Sequence, residues 1–127
     1  MQRLVVAIFL GIALSAALHA LIFALTPSAG VYWRLPFSVF RAISLALAAV
    51  LPGFFAGWVA GRSGFLVGLL VGVGVAIISP LVAAPVWGFW PARELLVGMA
   101  VGIVTNSITQ SVGAAAGATL RRQRVAL

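Results

Sequence analysis

The chain has 127 residues and a net charge of +7, and 64% of its residues are hydrophobic while only 7% are charged. A water-soluble domain of this length cannot bury so much apolar surface, whereas lipid hydrocarbon solvates it without penalty. Composition therefore excludes an ordinary soluble domain and predicts a single-domain membrane protein.

All eight basic residues are arginine, Glu94 is the only acidic residue, and lysine and cysteine are absent. This usage suggests a GC-rich bacterial genome. The arginines flank the long apolar stretches, at positions 3, 34, 41, 62, 93, 121, 122 and 124. That placement predicts contact with lipid headgroups, so we expect the lipid bilayer, and not nucleic acid, to be the partner of this positive charge. Without cysteine, neither a disulfide nor a thiolate metal ligand can form.

The first apolar stretch predicts a helix over about residues 4–25, roughly 33 Å long and sufficient to cross a bilayer. A cleaved signal peptide is the alternative, because Arg3 gives a basic start and the small residues 15–17 resemble a cleavage site. The apolar stretch continues to Leu25, beyond a usual signal-peptide core. We therefore favour an uncleaved anchor and keep cleavage as the alternative.

The second predicted helix covers about residues 37–60, after Pro36 at a first helical position. A short polar turn at 61–64 leads to a third predicted helix over about residues 65–87. Pro80 and Pro85 lie in its second half, and we expect them to kink the helix or end it early.

The fourth predicted helix covers about residues 95–120. Glu94 stands at its start, where an acidic side chain interacts favourably with the helix dipole. The short basic tail, residues 121–127, is expected to end it. Residues 1–127 together predict an all-α fold, an integral membrane bundle of four transmembrane helices.

The distribution of arginine predicts the orientation of the four helices. Four crossings place both termini and the 61–64 turn on one side, and five of the eight arginines fall there. The positive-inside rule therefore predicts that the N- and C-termini are cytoplasmic, in a bacterial inner membrane.

Glycine recurs every fourth residue in the predicted helices, which places each series on one helix face where another backbone can approach closely in lipid. The glycines are Gly53, Gly57, Gly61, Gly64, Gly68, Gly72, Gly98, Gly102, Gly113 and Gly117. We expect the second and third helices to form a close hairpin. The glycines of the fourth helix are expected to pack either within the bundle or against another copy. A homo-oligomer, or a complex with a larger membrane protein, is the expected assembly.

The fourth predicted helix carries six hydrogen-bonding side chains in the seven residues 105–111. The candidate residues are Thr105, Asn106, Ser107, Thr109 and Gln110, with His19 of the first helix, the only histidine. They predict either hydrogen bonds between helices or a polar path for an ion or small solute. We favour hydrogen bonds, and for His19 too, because no second titratable group lies at comparable depth to take its proton.

Arg41 and Glu94 fall on the same predicted side of the membrane. Arg41 is expected to extend to the headgroups, which is the cheaper arrangement, and an ion pair with Glu94 between the second and fourth helices is the alternative. The chain otherwise offers no set of nucleophile, base or metal ligands. We therefore expect neither enzyme activity nor a cofactor.

These features favour one functional class and leave a second open. The leading hypothesis is a structural or accessory membrane subunit that acts through helix–helix packing. The alternative is a small channel or carrier for an ion or small solute, lined by the polar residues of the fourth helix.

Overall fold

A computed structural model describes residues 1–25, 39–61, 63–87 and 91–126, with side chains for residues 1–21, 46–61, 63–81 and 91–126. These residues form four α-helices and no strand: α1 (Gln2–Leu25), α2 (Val39–Ala60), α3 (Gly64–Trp87) and α4 (Ala92–Val125). The all-α prediction is confirmed.

Among the described residues, three helices are long and apolar enough to cross a membrane. The qualifying stretches are Gln2–Leu21 in α1, Gly64–Leu81 in α3 and the whole of α4, Ala92–Val125. The described side chains of α2 include a shorter apolar stretch, Ala46–Ala60. Length and composition of the helices thus agree with a membrane protein.

The largest difference from the predicted boundaries lies at the end of α4. The basic residues Arg121, Arg122 and Arg124 were expected to end this helix, but they lie within it, and it ends at Val125. That expectation is wrong, because arginine and glutamine favour helix and arginine interacts favourably with the negative end of the helix dipole. The helix has 34 residues and is therefore roughly 51 Å long.

Prolines do not interrupt the helices where an early end was expected. Helix α3 continues through Pro80 and Pro85 to Trp87, so these residues do not shorten it. Pro52 lies within α2 and is buried. Proline cannot donate to the carbonyl four residues earlier, so α2 lacks one backbone hydrogen bond, the one to Ala48.

A tight turn joins α2 to α3. Gly61 has a φ of +69°, a left-handed conformation that glycine adopts without strain, and its N–H donates to the Gly57 carbonyl over 2.9 Å. Ser63 also has a positive φ of +56°, and its carbonyl accepts the Val67 N–H, which starts α3. The turn brings α2 and α3 together as antiparallel neighbours.

The α2–α3 hairpin lies in the middle of the assembly, with α1 and α4 packed against it. Each of the outer helices contacts both α2 and α3, and within the described ranges α1 and α4 do not contact one another. The α1 side has a small apolar core of Ala7, Ala56, Val67, Val71 and Val75. The α4 side brings the glycines and the polar residues together.

Candidate functional site

Gln110 of α4 lies between a glycine of α2 and a glycine of α3. A Cβ atom added to Gly53 would lie 2.8 Å from the Gln110 Cα, and one added to Gly68 would lie 2.6 Å from the Gln110 carbonyl carbon. Real Cβ atoms do not approach other atoms so closely. Only glycine at both positions therefore allows the three backbones to meet at this level.

One turn along α4, Ala114 repeats this arrangement. A Cβ at Gly57 would lie 2.6 Å from the Ala114 Cα, and a Cβ at Gly64 would lie 3.0 Å from the Ala114 carbonyl carbon. In the other direction, Gly72 of α3 has the same close approach to Ser107, at 2.5 Å from its Cα. Helix α4 is thus seated along a groove that the glycines of α2 and α3 create.

Helix α4 contributes close-contact glycines of its own. A Cβ at Gly113 would lie 3.0 Å from the backbone nitrogen of Phe54, and a Cβ at Gly117 would lie 2.9 Å from that of Trp58. These glycines pack within the chain, the first of the two arrangements expected for the glycines of the fourth helix.

The contacts of the α2–α3 hairpin differ from those that the glycine pattern suggested. The two helices do touch, but Gly53, Gly57, Gly64, Gly68 and Gly72 all face α4. The physical reason is that α4 places backbone atoms and small side chains against both helices at once, so the glycine faces of α2 and α3 both pack against α4. A four-residue spacing identifies such a face but carries no information about its partner.

The remaining glycines do not take part in this groove. No described atom lies within 4 Å of a Cβ built on Gly98, and one built on Gly102 would meet Ala76 at an ordinary 3.5 Å. A Cβ at Gly61 would meet the Arg121 side chain, at 3.2 Å. The close packing of α4 is therefore concentrated in its C-terminal half.

The hydroxyl groups of the polar segment mostly bond to backbone carbonyls. Thr105 donates to Val101 over 2.9 Å, and Thr109 donates to Thr105 over 3.0 Å, both within α4. Ser111 donates across to the Phe65 carbonyl of α3 over 3.2 Å. The threonine hydroxyls thus donate to carbonyls of their own helix, while the Ser111 hydroxyl links α4 to α3.

The amide of the buried Gln110 and the hydroxyl of the half-buried Ser107 have no hydrogen-bond partner among the described residues. Gln110 is 0% exposed, and neither its amide oxygen nor its amide nitrogen is bonded; the Ser107 hydroxyl is unpaired as well. Asn106 is half-buried, near Gly102. Buried polar groups are normally paired, so the Gln110 amide is the most unusual polar feature of α4.

His19 lies apart from this segment, on the exposed surface of α1. Its Nδ1 lies 2.8 Å from the Ser15 carbonyl and 3.5 Å from the Ser15 hydroxyl. In the tautomer that protonates Nδ1, the ring donates to the carbonyl of its own helix. The structure therefore does not bring His19 together with Asn106 or Gln110.

The predicted ion pair falls partly outside the described residues. Glu94 is exposed in the first turn of α4. The Arg41 side chain is not among the described side chains, so the pair stays a prediction.

A basic cavity at the opposite end of α4 was not identified from the sequence. Its volume is about 450 Å³, and it is lined by Arg3, Trp58, Val59, Arg121, Arg124 and Val125. The sequence signal was the pair of arginines at 121 and 124, three apart, which a continuing helix places on one side. The prediction of a basic tail over residues 121–127 hides this signal.

Among the described residues, no three histidine, aspartate or glutamate side chains are grouped so that they could hold a metal ion. Comparisons with known protein families, curated proteins and solved structures give no match.

Proposed function

We propose that this protein is a small multi-pass membrane protein that acts as a structural or accessory subunit through helix–helix packing. The supporting observation is that this chain packs its own helices backbone to backbone, as α4 does at Gly53 and Gly68. In lipid, such contact is a main source of helix association, because hydrocarbon gives apolar helices no reason to leave it.

The proposed location is a bacterial inner membrane, with four transmembrane helices and both termini in the cytoplasm. Support comes from the three long apolar helices. It comes also from the excess of arginine at the end of the molecule where both termini lie. That end holds Arg3, Arg121 and Arg124 around one cavity. The positive-inside rule assigns such an end to the cytoplasm.

The N-terminal half of α4 is the surface that we propose for assembly, with a second copy or a larger membrane protein. Leu96, Val97 and Val101 are exposed there. Gly98 lies among them and has no described atom near its Cβ position. A glycine notch on an apolar helix surface admits a second helix at short distance.

A channel or carrier is the second candidate function. The amide of Gln110 and the hydroxyl of Ser107, both without a partner among the described residues, favour it, because such groups can coordinate a dehydrated solute. The complete burial of Gln110 between glycine faces favours the packing role instead.

The test is to purify the tagged protein from native membranes in mild detergent and identify what remains bound by mass spectrometry. The proposal expects a stoichiometric second membrane protein or second copy. Gly98→Ile should release it and leave the chain folded, whereas Ala116→Ile, exposed in the C-terminal half of α4 and outside this surface, should retain it.

A monomer with nothing bound would contradict the packing role. Solute flux in liposomes that Gln110→Leu abolishes would instead establish the channel or carrier.

A further inference from the structure

The basic cavity is formed where α1 begins and where α2 and α4 end. Arg3 belongs to the first turn of α1, Trp58 and Val59 to the last turn of α2, and Arg121, Arg124 and Val125 to the last turns of α4. Three guanidinium groups from two helices therefore surround one opening. The two helices that supply them do not otherwise touch within the described part of the chain.

Arg121 is held in place by the end of α2. Its Nη1 donates to the Trp58 carbonyl over 2.8 Å and also donates to the Val59 carbonyl. These carbonyls have no partner within their own helix, because the last turn of a helix leaves its acceptors free. Arginine has five N–H donors, so Arg121 keeps donors available for a ligand.

Trp58 positions a second arginine. The Arg124 guanidinium carbon lies 5.5 Å from the centre of the Trp58 ring, within the range of a cation–π interaction. The Trp58 ring is in turn 6.3 Å from the Phe54 ring of the same helix. The half-buried indole thus fixes one wall of the cavity and holds a positive charge at its edge.

The cavity has no acidic side chain to balance these charges. Glu94 is the only acidic residue of the sequence, and it lies in the first turn of α4, 27 residues before Arg121. At 1.5 Å per residue that separation is roughly 40 Å, far beyond the screening length in salt. Three like charges gathered at one opening without an acidic side chain favour the binding of an anion.

We propose that this cavity binds a phosphate group, with an anionic phospholipid headgroup as its source. Arginine suits phosphate because its planar N–H groups bond two oxygens at once. Val59, Val125 and Trp58 give the cavity an apolar wall, which a lipid can cover and a free phosphate ion cannot. The choice of lipid rests on the proposed membrane location.

The experiment measures lipid retention by native mass spectrometry of the protein from nanodiscs that contain phosphatidylglycerol, cardiolipin or phosphatidylcholine. Arg3→Gln/Arg124→Gln removes two cavity arginines and leaves the Arg121 contact with α2. Arg93→Gln/Arg122→Gln is the matched control, since it removes the same charge from exposed residues that do not line the cavity.

The expected result is that the wild type retains the anionic lipids in preference to phosphatidylcholine. The cavity variant should lose about tenfold or more of this preference, and the control should stay within about twofold of the wild type. Equal losses in both variants would overturn the proposal, because total charge and not the cavity would then be responsible.

A parallel arm separates the two sources of phosphate. Inorganic phosphate is titrated into the detergent-solubilised protein, with stabilisation against heat as the readout. Stabilisation that the cavity variant alone loses, without any preference for anionic lipid, would keep the phosphate site and overturn its assignment to lipid. No selective lipid retention and no stabilisation would overturn the site itself.

The membrane location is tested separately by carbonate extraction of native membranes. Release of the chain into the soluble fraction would contradict the location without reference to the cavity. Failure of the phosphate site with the chain retained in the membrane would leave the location intact.

Discussion

At the residue scale, Gln110 is the feature that requires explanation. Its amide is fully buried against two glycine faces, with neither the oxygen nor the nitrogen bonded to a described group. An unpaired buried polar group opposes folding by about 1–3 kcal/mol. The contacts of Gln110 therefore place its aliphatic part and backbone in a favourable position and its amide in an unfavourable one.

Gln110→Met should stabilise the protein by about 1 kcal/mol, because methionine keeps the unbranched shape and removes the unpaired amide. The measurement is reversible unfolding in mixed detergent micelles, followed by circular dichroism. Gln123→Met, at an exposed site on the same helix, is the control and should change the stability by less than about 0.5 kcal/mol. A loss of stability for Gln110→Met would mean that the amide is bonded in the folded protein.

At the element scale, α4 packs closely against α2 and α3 because the contact positions on these two helices are glycines, which have no side chain. Backbone atoms cannot move aside as the end of a flexible side chain can, so a methyl group in the groove must separate the helices. The contact positions on α2 and α3 are therefore intolerant of substitution, although they contribute no side-chain atoms.

Gly68→Ile should destabilise the protein by at least about 3 kcal/mol or prevent folding, because its Cβ would meet the backbone of Gln110 and Ser111. Gly98→Ile gives the same change in composition at a position with open space and should leave unfolding unchanged. Detergent unfolding of the two variants gives the comparison. Equal stabilities would show that α4 does not occupy the glycine groove.

Arg121 links the C-terminal end of α4 to the C-terminal end of α2. Arg121→Gln should destabilise the protein by about 1 kcal/mol, because it removes a charged donor to the carbonyls of Trp58 and Val59 at a half-buried site. Arg122→Gln, at an exposed position on α4, serves as the reference and should be neutral. If Arg121→Gln leaves the stability unchanged in the same unfolding measurement, the hydrogen bonds of Arg121 do not stabilise the contact between α2 and α4.

At the scale of the whole molecule, the helices alternate in direction. Gly64 at the start of α3 lies by Ala118, while Gly72 lies by Ser107, so α3 and α4 are antiparallel. Gly53 lies by Gln110 and Gly57 by Ala114, so α2 and α4 are parallel. The start of α1 and the ends of α2 and α4 therefore share one end of the molecule.

The proposed orientation can be read with single cysteines, because the chain has none of its own. Ser63→Cys and Gln123→Cys should react with a membrane-impermeant maleimide only in inverted vesicles. Ala92→Cys, at the start of α4, should react in intact spheroplasts. Reaction of all three from the same side would exclude the four-crossing topology.

The sequence predicts where the helices lie along the chain, but it does not predict which helices pack against one another. Apolar length places each helix within a few residues of its predicted bounds, and only α4, which includes its basic end, departs clearly. Gly53 and Gly68 were identified as packing positions by spacing alone. Their common partner, Gln110, could not be predicted, because the choice among neighbouring helices depends on how three backbones fit together. The basic cavity was missed for a related reason, since it combines residues from α1, α2 and α4.

The position of α4 in the chain has a consequence for biogenesis. Ribosomes make α4 last of the four described helices, yet it is the one that fills the groove between the glycine faces of α2 and α3. In the proposed membrane location, the nascent chain presents that groove open until the final turns of α4 have emerged, available to lipid, to a membrane chaperone or to another protein's helix. Quality control that detects an incomplete chain therefore has a defined surface to recognise.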